Sequence, residues 1–401
     1  MTKSDDNRQP VILSAARTPT GGFNGSLSHL TAPELGAVAI RAAVERAGLK
    51  AEAETIDEVL MGNVVTAGVG QAPARQAAIL AGLPATVGAT TLNKVCGSGL
   101  KACMLASQAI RAGDADLFVA GGMESMSNAP FLVRGRGGRL RYGHDQLTDA
   151  LLYDGLWDPF EQWSMGMAAE WIADQFEVTR EAMDRFALQS HQRAIAAEQA
   201  GAFDEERVAV PSADSGGPVT KDETPRPDSS LEQLAKLKPA FKDDGRVTAG
   251  NAPGLNDGAS ALVLASRSRA AQLSAKPMAR VVGYAQVAVP PKEMFTAPAL
   301  AIPKLLDRIG WKLNEVDLFE LNEAFAAQVL ANGYALAEAG WDWEKVNVHG
   351  GAIALGHPLG ASGARLLTTL LYTLARRGQK RGVASLCLGG GEAVALAVER
   401  E

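Results

Sequence analysis

Short apolar runs alternate with alanine-rich helical stretches through much of this chain. Residues 11–17 (VILSAAR) and 56–64 (IDEVLMGNV) predict buried strands. Between them, APELGAVAIRAAVERAG predicts a helix that ends at Gly48. GSGLKACMLASQAIRAG predicts a second helix that ends at Gly113, and ADLFVAGGMES predicts the strand that follows. This alternation predicts an α/β fold with a mixed or mainly parallel sheet.

The alternation stops between residues 128 and 245 and then resumes. This segment contains the Gly/Arg-rich stretch RGRGGRLRYG, the Pro-rich stretch DETPRPD and one clear predicted helix, from Thr179 as N-cap to Gly201 as C-cap. A segment of this length with a helix of its own predicts an inserted loop subdomain. Inserted loops often carry substrate contacts.

The second part of the chain repeats the pattern of the first at an offset of about 260 residues. AVERAGL parallels LDRIGW, IDEVLMGN parallels VDLFELNE, CGSGLKACML parallels GASGARLLTT, and LFVAGGMES parallels SLCLGGGEA. The four matches occur in the same order, so we interpret the chain as a duplicated α/β unit. The predicted parts are a first half (1–127 with 246–272), the inserted loop subdomain (128–245) and a second half (273–401).

Composition and charge narrow the function further. The 401 residues are 47% hydrophobic and 21% charged, with a net charge of -6 spread along the chain. A nucleic-acid partner is not expected, because no basic patch stands out. No apolar run approaches the roughly 20 residues of a membrane helix. The polar N-terminal residues are not typical of a targeting segment, and only three cysteines are present, so we expect a cytoplasmic protein without disulfides.

Four turns of the duplicated unit carry candidate chemistry. Cys96 precedes Gly-Ser-Gly where a strand meets a helix, and a helix N-terminus stabilises a thiolate. His357 lies in GGAIALGHPLGASG, where the glycines and the following proline predict an imidazole held in an exposed, fixed position. Cys387 precedes three glycines, whose backbone N–H groups are donors of the kind an oxyanion needs. Asn322 could cap the helix that follows, and an asparagine that caps a helix can also orient a water.

Each of these residues also has a purely structural interpretation. Cys96 and Cys387 are alternatively packing residues, His357 alternatively a hydrogen-bonded core histidine, and Cys103 is expected to be a small buried apolar residue. No Cys or His spacing is typical of a metal site.

The motifs resemble those of the thiolase family. The resemblance rests on NKVCGSGLKA, GGMESMSNAP, TAGNAPGLNDGA, NEAFAAQ, GGAIALGHPLGASGARL and CLGGGEA, and it covers residues 8–400. It implies the five-layered, duplicated α-β-α-β-α thiolase fold and acyl transfer between coenzyme A thioesters. It implies no metal, flavin or nicotinamide and no cofactor beyond the substrate coenzyme A.

The resemblance also implies roles for individual residues. Cys96 matches the nucleophile that becomes acylated, His357 the base that activates it, and Cys387 the acid/base at the α-carbon. Asn322 matches the residue that holds a water in a first oxyanion hole beside His357. The backbone N–H groups of Cys96 and Gly389 match a second oxyanion hole.

Further positions match the family's contacts to substrate. Met165 matches the methionine that closes a short acyl pocket, while Ser164 and Pro253 stand where biosynthetic members often carry histidine and serine. Ser164 therefore predicts a wider pocket, and Pro253 removes one hydrogen bond to pantetheine. The expected contacts to coenzyme A and the acyl group are Met165, Arg226, Leu237, Phe241, Ala249, Pro253, Met294 and Ala324.

The resemblance favours the biosynthetic subtype, which condenses two acetyl-CoA into acetoacetyl-CoA. The alternatives are a degradative 3-ketoacyl-CoA thiolase of broader chain length and a non-catalytic acyl-CoA-binding relative. A decarboxylating condensing enzyme is disfavoured because such relatives lack the second cysteine in a GGG turn. The stretch RGRGGRLRYGHD resembles the loop that pairs dimers into homotetramers, and its alternative is a solvated basic hairpin.

Overall fold

One large mixed sheet connects the two halves of the chain. The computed structural model describes residues 6–50, 56–133, 135, 144, 146–213 and 217–401. In chain order, the strands are β1 (Pro10–Arg17), β2 (Gly21–Gly22), β3 (Glu58–Gly62), β4 (Gly88–Leu92), β5 (Leu117–Ser125), β6 (Phe131–Leu132), β7 (Thr148–Asp149), β8 (Trp157–Asp158), β9 (Trp163–Ser164), β10 (Asn256–Ser266), β11 (Ala279–Ala288), β12 (Leu318–Leu321), β13 (Arg381–Leu388) and β14 (Glu392–Glu399).

The two halves of the sheet have the same strand order. From the centre outward, the first half runs β1-β10-β5-β3-β4 and the second runs β11-β14-β13-β12. The second strand of each half, β10 or β14, is antiparallel to both of its neighbours. The outer strands β3 and β4 are parallel to β5, and the outer strand β12 is parallel to β13. A single parallel bridge between Phe319 and Val346 stands where β4 stands in the first half. The halves join where Val11 pairs with Arg280, and the predicted duplication is confirmed.

Helices cover both faces of the sheet and fill the space between its halves. They are α1 (Ala32–Arg46), α2 (Pro73–Leu80), α3 (Ser98–Ala112), α4 (Met165–Gln175), α5 (Arg180–Gln199), α6 (Leu231–Ala235), α7 (Arg267–Gln272), α8 (Ala297–Ile309), α9 (Ala326–Ala335), α10 (Ala352–Leu355) and α11 (Leu359–Arg376). Helices α3 and α11 pack against each other and against strands of both halves. Helices α1 and α2 cover the first half, and α8 covers the second, each over its own apolar core. The layers are therefore α-β-α-β-α.

Local sequence signals set the ends of these elements. The backbone N–H of Thr31 donates to the Glu34 carboxylate at 2.8 Å, which satisfies a free group at the start of α1. Gly113 ends α3 in the left-handed conformation, with φ of 88°. The Thr179 hydroxyl accepts from Ala182 N at 3.2 Å at the start of α5. The helix and strand predictions for the first half are confirmed.

The segment between β5 and β10 has a small architecture of its own. It contains the strand pairs β6–β7 and β8–β9 and the helices α4, α5 and α6. The sequence predicted α5 but missed α4. The buried Arg17 of β1 pairs with Glu206 at 2.5 Å and Asp222 at 2.7 Å, and so ties the segment to the sheet. The exact division at residues 127 and 245 stays a prediction.

The Arg-rich stretch RGRGGRLRYGHD, apart from Gly135 and His144, lies outside the described residues. Within the described ranges, every helix is too short or too polar to span a bilayer.

Candidate active site

Three reactive side chains line one apolar cavity. Cys96, His357 and Cys387 all face it, and its volume is about 170 Å³. Cys96 comes from the turn before α3, His357 from the turn before α11, and Cys387 from the end of β13. The turns that the duplication relates thus meet at one place, as the repeat predicted.

The turn that carries Cys96 is tightly held. Val95 adopts a positive φ of 45°, which is strained for a β-branched residue. The Asn93 side chain accepts from Val95 N at 2.9 Å, and the Ser98 hydroxyl donates to Val95 O at 2.6 Å. Lys94 pairs with Glu392 across the two halves at 2.6 Å. These contacts fix the sulfur at the cavity wall.

The helix N-terminus, which favours a thiolate at Cys96, is opposed by the burial of the sulfur. Burial raises the pKa of this thiol to about 12, against the lowering effect of the backbone N–H groups of Cys96 and Gly389. The apolar surroundings outweigh the helix N-terminus because desolvation penalises the charged form. Cys96 is therefore a thiol at neutral pH and needs a base.

His357 is not exposed as the glycine-rich motif predicted, since only 6% of its surface is accessible. Its backbone N–H donates to the Asn256 side chain at 2.8 Å, and its Nδ1 lies 2.6 Å from the Ser362 hydroxyl. That hydroxyl donates to Pro358 O at 2.8 Å, so its oxygen is left to accept Nδ1–H. This network leaves Nε2 unprotonated, which is the tautomer that a base requires.

Burial, together with the charge of Arg365, lowers the pKa of His357 to about 3. The imidazole is therefore neutral across the physiological range.

Asn322 faces His357 and does not cap a helix. Helix α9 begins at Ala326 and is preceded by Phe325, so the capping interpretation is wrong. The Asn322 Nδ2 lies 3.3 Å from His357 Nε2. Its Oδ1 is buried without a hydrogen-bond partner in the described structure, and a buried acceptor of this kind favours a bound donor such as water.

Cys387 and Gly389 complete the polar part of the cavity. Burial, with the neighbouring Cys96, raises the pKa of the Cys387 thiol well above its usual range. The N–H of Gly389 points to the Cys96 sulfur together with the N–H of Cys96 itself. Two backbone donors thus converge at the Cys96 sulfur, and an oxyanion hole needs donors of this kind.

The substrate contacts expected from sequence divide into two groups. Five of them line the cavity: Met165, Phe241, Pro253, Met294 and Ala324. Arg226, Leu237 and Ala249 are not among its lining residues. Ser164 lies at the cavity and also caps α4, with its hydroxyl accepting from Met167 N at 3.4 Å.

Sequence reasoning missed the side chains that hold the His357 segment. The buried Glu124 carboxylate accepts from Val64 N at 3.0 Å, Val65 N at 3.2 Å and Gly360 N at 2.9 Å. Burial raises its pKa to about 7, although these donors oppose the shift. On the N-terminal side of His357, the Glu323 carboxylate accepts from Ile353 N at 3.0 Å. Glu124 lies in the motif GGMESMSNAP and Glu323 in the motif NEAFAAQ, and these motifs were the sequence signal that could have identified both glutamates.

No group of three or more His, Cys, Asp or Glu side chains arranged to hold a metal occurs among the described residues. Comparison with known families then decides the assignment. The family model "Thiolase, N-terminal domain" matches residues 10–268, and "Thiolase, C-terminal domain" matches residues 275–400. The chain belongs to the thiolase family. It is accordingly an enzyme with the thiolase fold, and the resemblance seen in the sequence is confirmed.

Relatives in the thiolase family match over nearly their full length. An acetyl-CoA acetyltransferase of Cupriavidus necator is 54% identical over 98% of this chain and 99% of its own. One of Pseudomonas aeruginosa is 53% identical with the same coverage. The crystal structure of the Bacillus anthracis acetyl-CoA acetyltransferase superimposes with a TM-score of 0.93 at 42% identity, covering 98% of this chain and 99% of that one.

Proposed function

We propose that this thiolase joins two acetyl-CoA molecules into acetoacetyl-CoA and free coenzyme A, and that it catalyses the reverse reaction. The observation that carries the proposal is the meeting of Cys96, His357 and Cys387 at one apolar cavity with two converging N–H donors. The names of the relatives from Cupriavidus necator and Pseudomonas aeruginosa support acetyl-CoA as the substrate.

In the first half-reaction, the neutral His357 Nε2 takes the proton of the Cys96 thiol. The sulfur then attacks the acetyl carbonyl, and the negative oxygen is stabilised by the N–H groups of Cys96 and Gly389. The bond from the carbonyl carbon to the sulfur of coenzyme A breaks, and His357 returns the proton to that sulfur. The products are acetyl-Cys96 and free coenzyme A.

In the second half-reaction, the Cys387 thiol first gives its proton to the neutral Nε2 of His357 in the same cavity, and the resulting thiolate removes an α-proton from a second acetyl-CoA. A thiolate with a raised pKa is a strong base, which suits a weakly acidic C–H bond. The carbanion attacks acetyl-Cys96, the carbon–sulfur bond breaks, and His357 gives its proton to the Cys96 sulfur, so that both cysteines end as thiols. A water held by Asn322 beside His357 would stabilise the enolate oxygen.

Two alternatives are less well supported. A degradative thiolase uses the same residues on longer acyl chains, and a cavity of about 170 Å³ lined by Met165 and Met294 favours a short acyl group instead. A non-catalytic acyl-CoA-binding protein would not need three reactive side chains with converging donors.

The proposal extends to ligand contacts and assembly. Arg226, Leu237 and Ala249 are assigned to coenzyme A outside the acyl cavity, and no cofactor is required. A cytoplasmic homotetramer is also proposed, on the resemblance of RGRGGRLRYGHD and the three free thiols.

Acetylation mapping tests the division of labour between the two cysteines. Incubation with labelled acetyl-CoA should place one acetyl group on Cys96. Cys387→Ala should still acetylate at Cys96 but lose condensation by about 10² to 10⁴-fold. Cys96→Ser should lose both steps, because a hydroxyl is a weaker nucleophile. Label on Cys387 or Cys103, or a Cys387→Ala variant that fails to acetylate, would reverse the roles.

A further inference from the structure

A second cavity lies at the opposite end of α3 from Cys96. Its volume is about 380 Å³, and it is lined by Arg111, Arg280 and Arg308, with Tyr284, Gln9 and Trp311 in its walls. We call it the arginine cavity. Arg111 is in the last turn of α3, whereas Cys96 immediately precedes the first. No carboxylate is among its lining residues in the part of the chain that the structure describes.

The three guanidinium groups are held in place by their neighbours. Arg111 donates to Val281 O at 2.9 Å, at a point where β11 bulges away from its partner strand. Arg308 donates to Tyr284 O at 3.2 Å and lies 5.7 Å from the centre of the Tyr284 ring. Arg280 is held by Glu399 at 2.5 Å. Fixed donors of this kind bind a ligand with little loss of side-chain freedom.

Positive charge in the arginine cavity exceeds the available negative charge. Glu399 is shared between Arg280 and Arg381, so it compensates only part of the charge. Among the described residues, Arg111 and Arg308 form no ion pair with a carboxylate. Burial lowers the pKa of Arg111, and so do the like charges of Arg280 and Arg308, which repel it, whereas Tyr284 raises it. An anion would relieve this repulsion.

We propose that the arginine cavity binds a phosphate-bearing small molecule. Guanidinium groups match phosphate oxygens in a bidentate geometry, and several of them around one cavity suit a group with more than one negative charge. The cavity, rather than a flat surface, favours a compact ligand such as pyrophosphate or a phosphate ester. The Tyr284 and Trp311 rings add surfaces on which an attached apolar group could pack.

Calorimetric titration with inorganic pyrophosphate at low ionic strength tests this assignment on the full-length enzyme. Wild type should bind pyrophosphate, and its melting temperature should rise when pyrophosphate is present. The double variant Arg111→Met/Arg308→Met should bind pyrophosphate at least about tenfold more weakly, and its melting temperature should rise less. Both arginines are exposed and lie outside the catalytic cavity. The double variant should therefore keep the wild-type rate of thiolysis when pyrophosphate is absent, and this rate serves as the check that the variant is folded. Arg226→Met, assigned to coenzyme A, is the control and should bind as wild type does.

The source of the phosphate is distinguished by repeating the titration with saturating coenzyme A. If the affinity for pyrophosphate is unchanged by coenzyme A, the arginine cavity binds a free phosphate ligand. If coenzyme A competes with pyrophosphate, and still does so in Arg226→Met, the arginine cavity binds the phosphates of coenzyme A. The proposal fails if wild type does not bind, if the double variant binds as tightly as wild type, or if only Arg226→Met loses binding. These outcomes leave the proposed acetyl transfer untouched, since acetylation of Cys96 is measured separately.

Discussion

Cys96 and His357 lie in a cavity with little polar lining, and both are neutral there. The pKa of Cys96 is raised to about 12 and that of His357 is lowered to about 3, in both cases mainly by burial. A thiolate–imidazolium pair is therefore not the resting state. In the proposed mechanism, the proton moves from sulfur to imidazole only when a bound thioester offers a carbonyl carbon, which would tie reactivity to substrate.

Alkylation of Cys96 by iodoacetamide should report this resting state. Only the thiolate reacts. At pH values below the pKa, the thiolate fraction grows about tenfold for each unit by which the pH rises. The rate at Cys96 should therefore keep rising between about pH 6 and 9, because this range lies below the raised pKa of about 12. An ion pair with His357 would instead give a constant rate over the same range.

Peptide mapping separates Cys96 from the other thiols, and Cys96→Ser supplies the blank. Cys103 is fully buried and should stay unlabelled at every pH. A plateau in the Cys96 rate below about pH 8 would show that a thiolate exists before substrate binds.

At the scale of elements, the glycines around Cys96 and His357 allow two helices to pack closely. A Cβ on Gly99 would lie 2.7 Å from Ala364 N, and one on Gly363 would lie 2.5 Å from Leu100 N. Such distances are too short for any side chain, so α3 and α11 meet backbone to backbone. The repeated Gly-Ser-Gly and Ala-Ser-Gly motifs thus bring the cysteine and histidine turns together across the halves.

The contacts of Glu124 should affect catalysis more than binding. Its carboxylate joins the loop after β3 to Gly360, three residues after His357. Glu124→Gln places an amide donor against backbone N–H donors, which costs about 1–3 kcal/mol for an unsatisfied buried group. We expect kcat to fall at least about tenfold with KM nearly unchanged, since the histidine turn shifts while the acyl cavity stays.

Asp57→Asn is the matched control, because Asp57 accepts from Asp116 N and Leu117 N, both at 2.9 Å, at the opposite end of β5. It should lower stability without changing kcat. If Glu124→Gln loses stability but keeps wild-type kcat, Glu124 has no positioning role.

The sequence predicted the helices, strands and candidate residues better than it predicted the burial and protonation of those residues. The duplication, the strand and helix order and the candidate residues Cys96, His357, Cys387 and Asn322 follow from local patterns and motifs. The burial of His357 and the neutral Cys96 do not, because both depend on which helices and strands cover the turns. Glycine density marks close packing as well as exposure, and the sequence alone does not distinguish the two. Helix α4 was missed because it lies within an irregular segment.

At the scale of the whole molecule, the acyl cavity is built by all three parts of the chain. Cys96 and Met126 come from the first half, Met165 and Phe241 from the segment between β5 and β10, and Cys387 from the second half. The buried pairs of Arg17 with Glu206 and Asp222 attach that segment to β1. The candidate catalytic residues thus lie in the duplicated halves, and the segment between β5 and β10 adds Met165 and Phe241 to the wall of the acyl cavity.

Chain-length preference should follow from this division. Met165 narrows the cavity, while the small Ser164 beside it leaves some room. Each methylene that is buried contributes about 0.8 kcal/mol, and one that clashes contributes nothing. Methionine is flexible, so the cutoff should be gradual. Thiolysis rates should be highest for acetoacetyl-CoA, detectable for 3-ketoacyl-CoA of about six carbons, and small at about twelve.

Met165→Ala should move this preference towards longer or branched acyl chains, because it removes the side chain that closes the cavity and leaves the catalytic residues in place. Met104→Ala is the matched control: Met104 is a buried core residue of α3 away from the cavity, so its loss should lower stability by about 2–5 kcal/mol without changing chain-length preference. The decisive measurement is kcat/KM across a series of 3-ketoacyl-CoA substrates for all three proteins. A wild-type optimum at about ten carbons or more would assign the enzyme to the degradative type, and it would leave Cys96, His357, Cys387 and Asn322 in the same roles, since both types use the same chemistry.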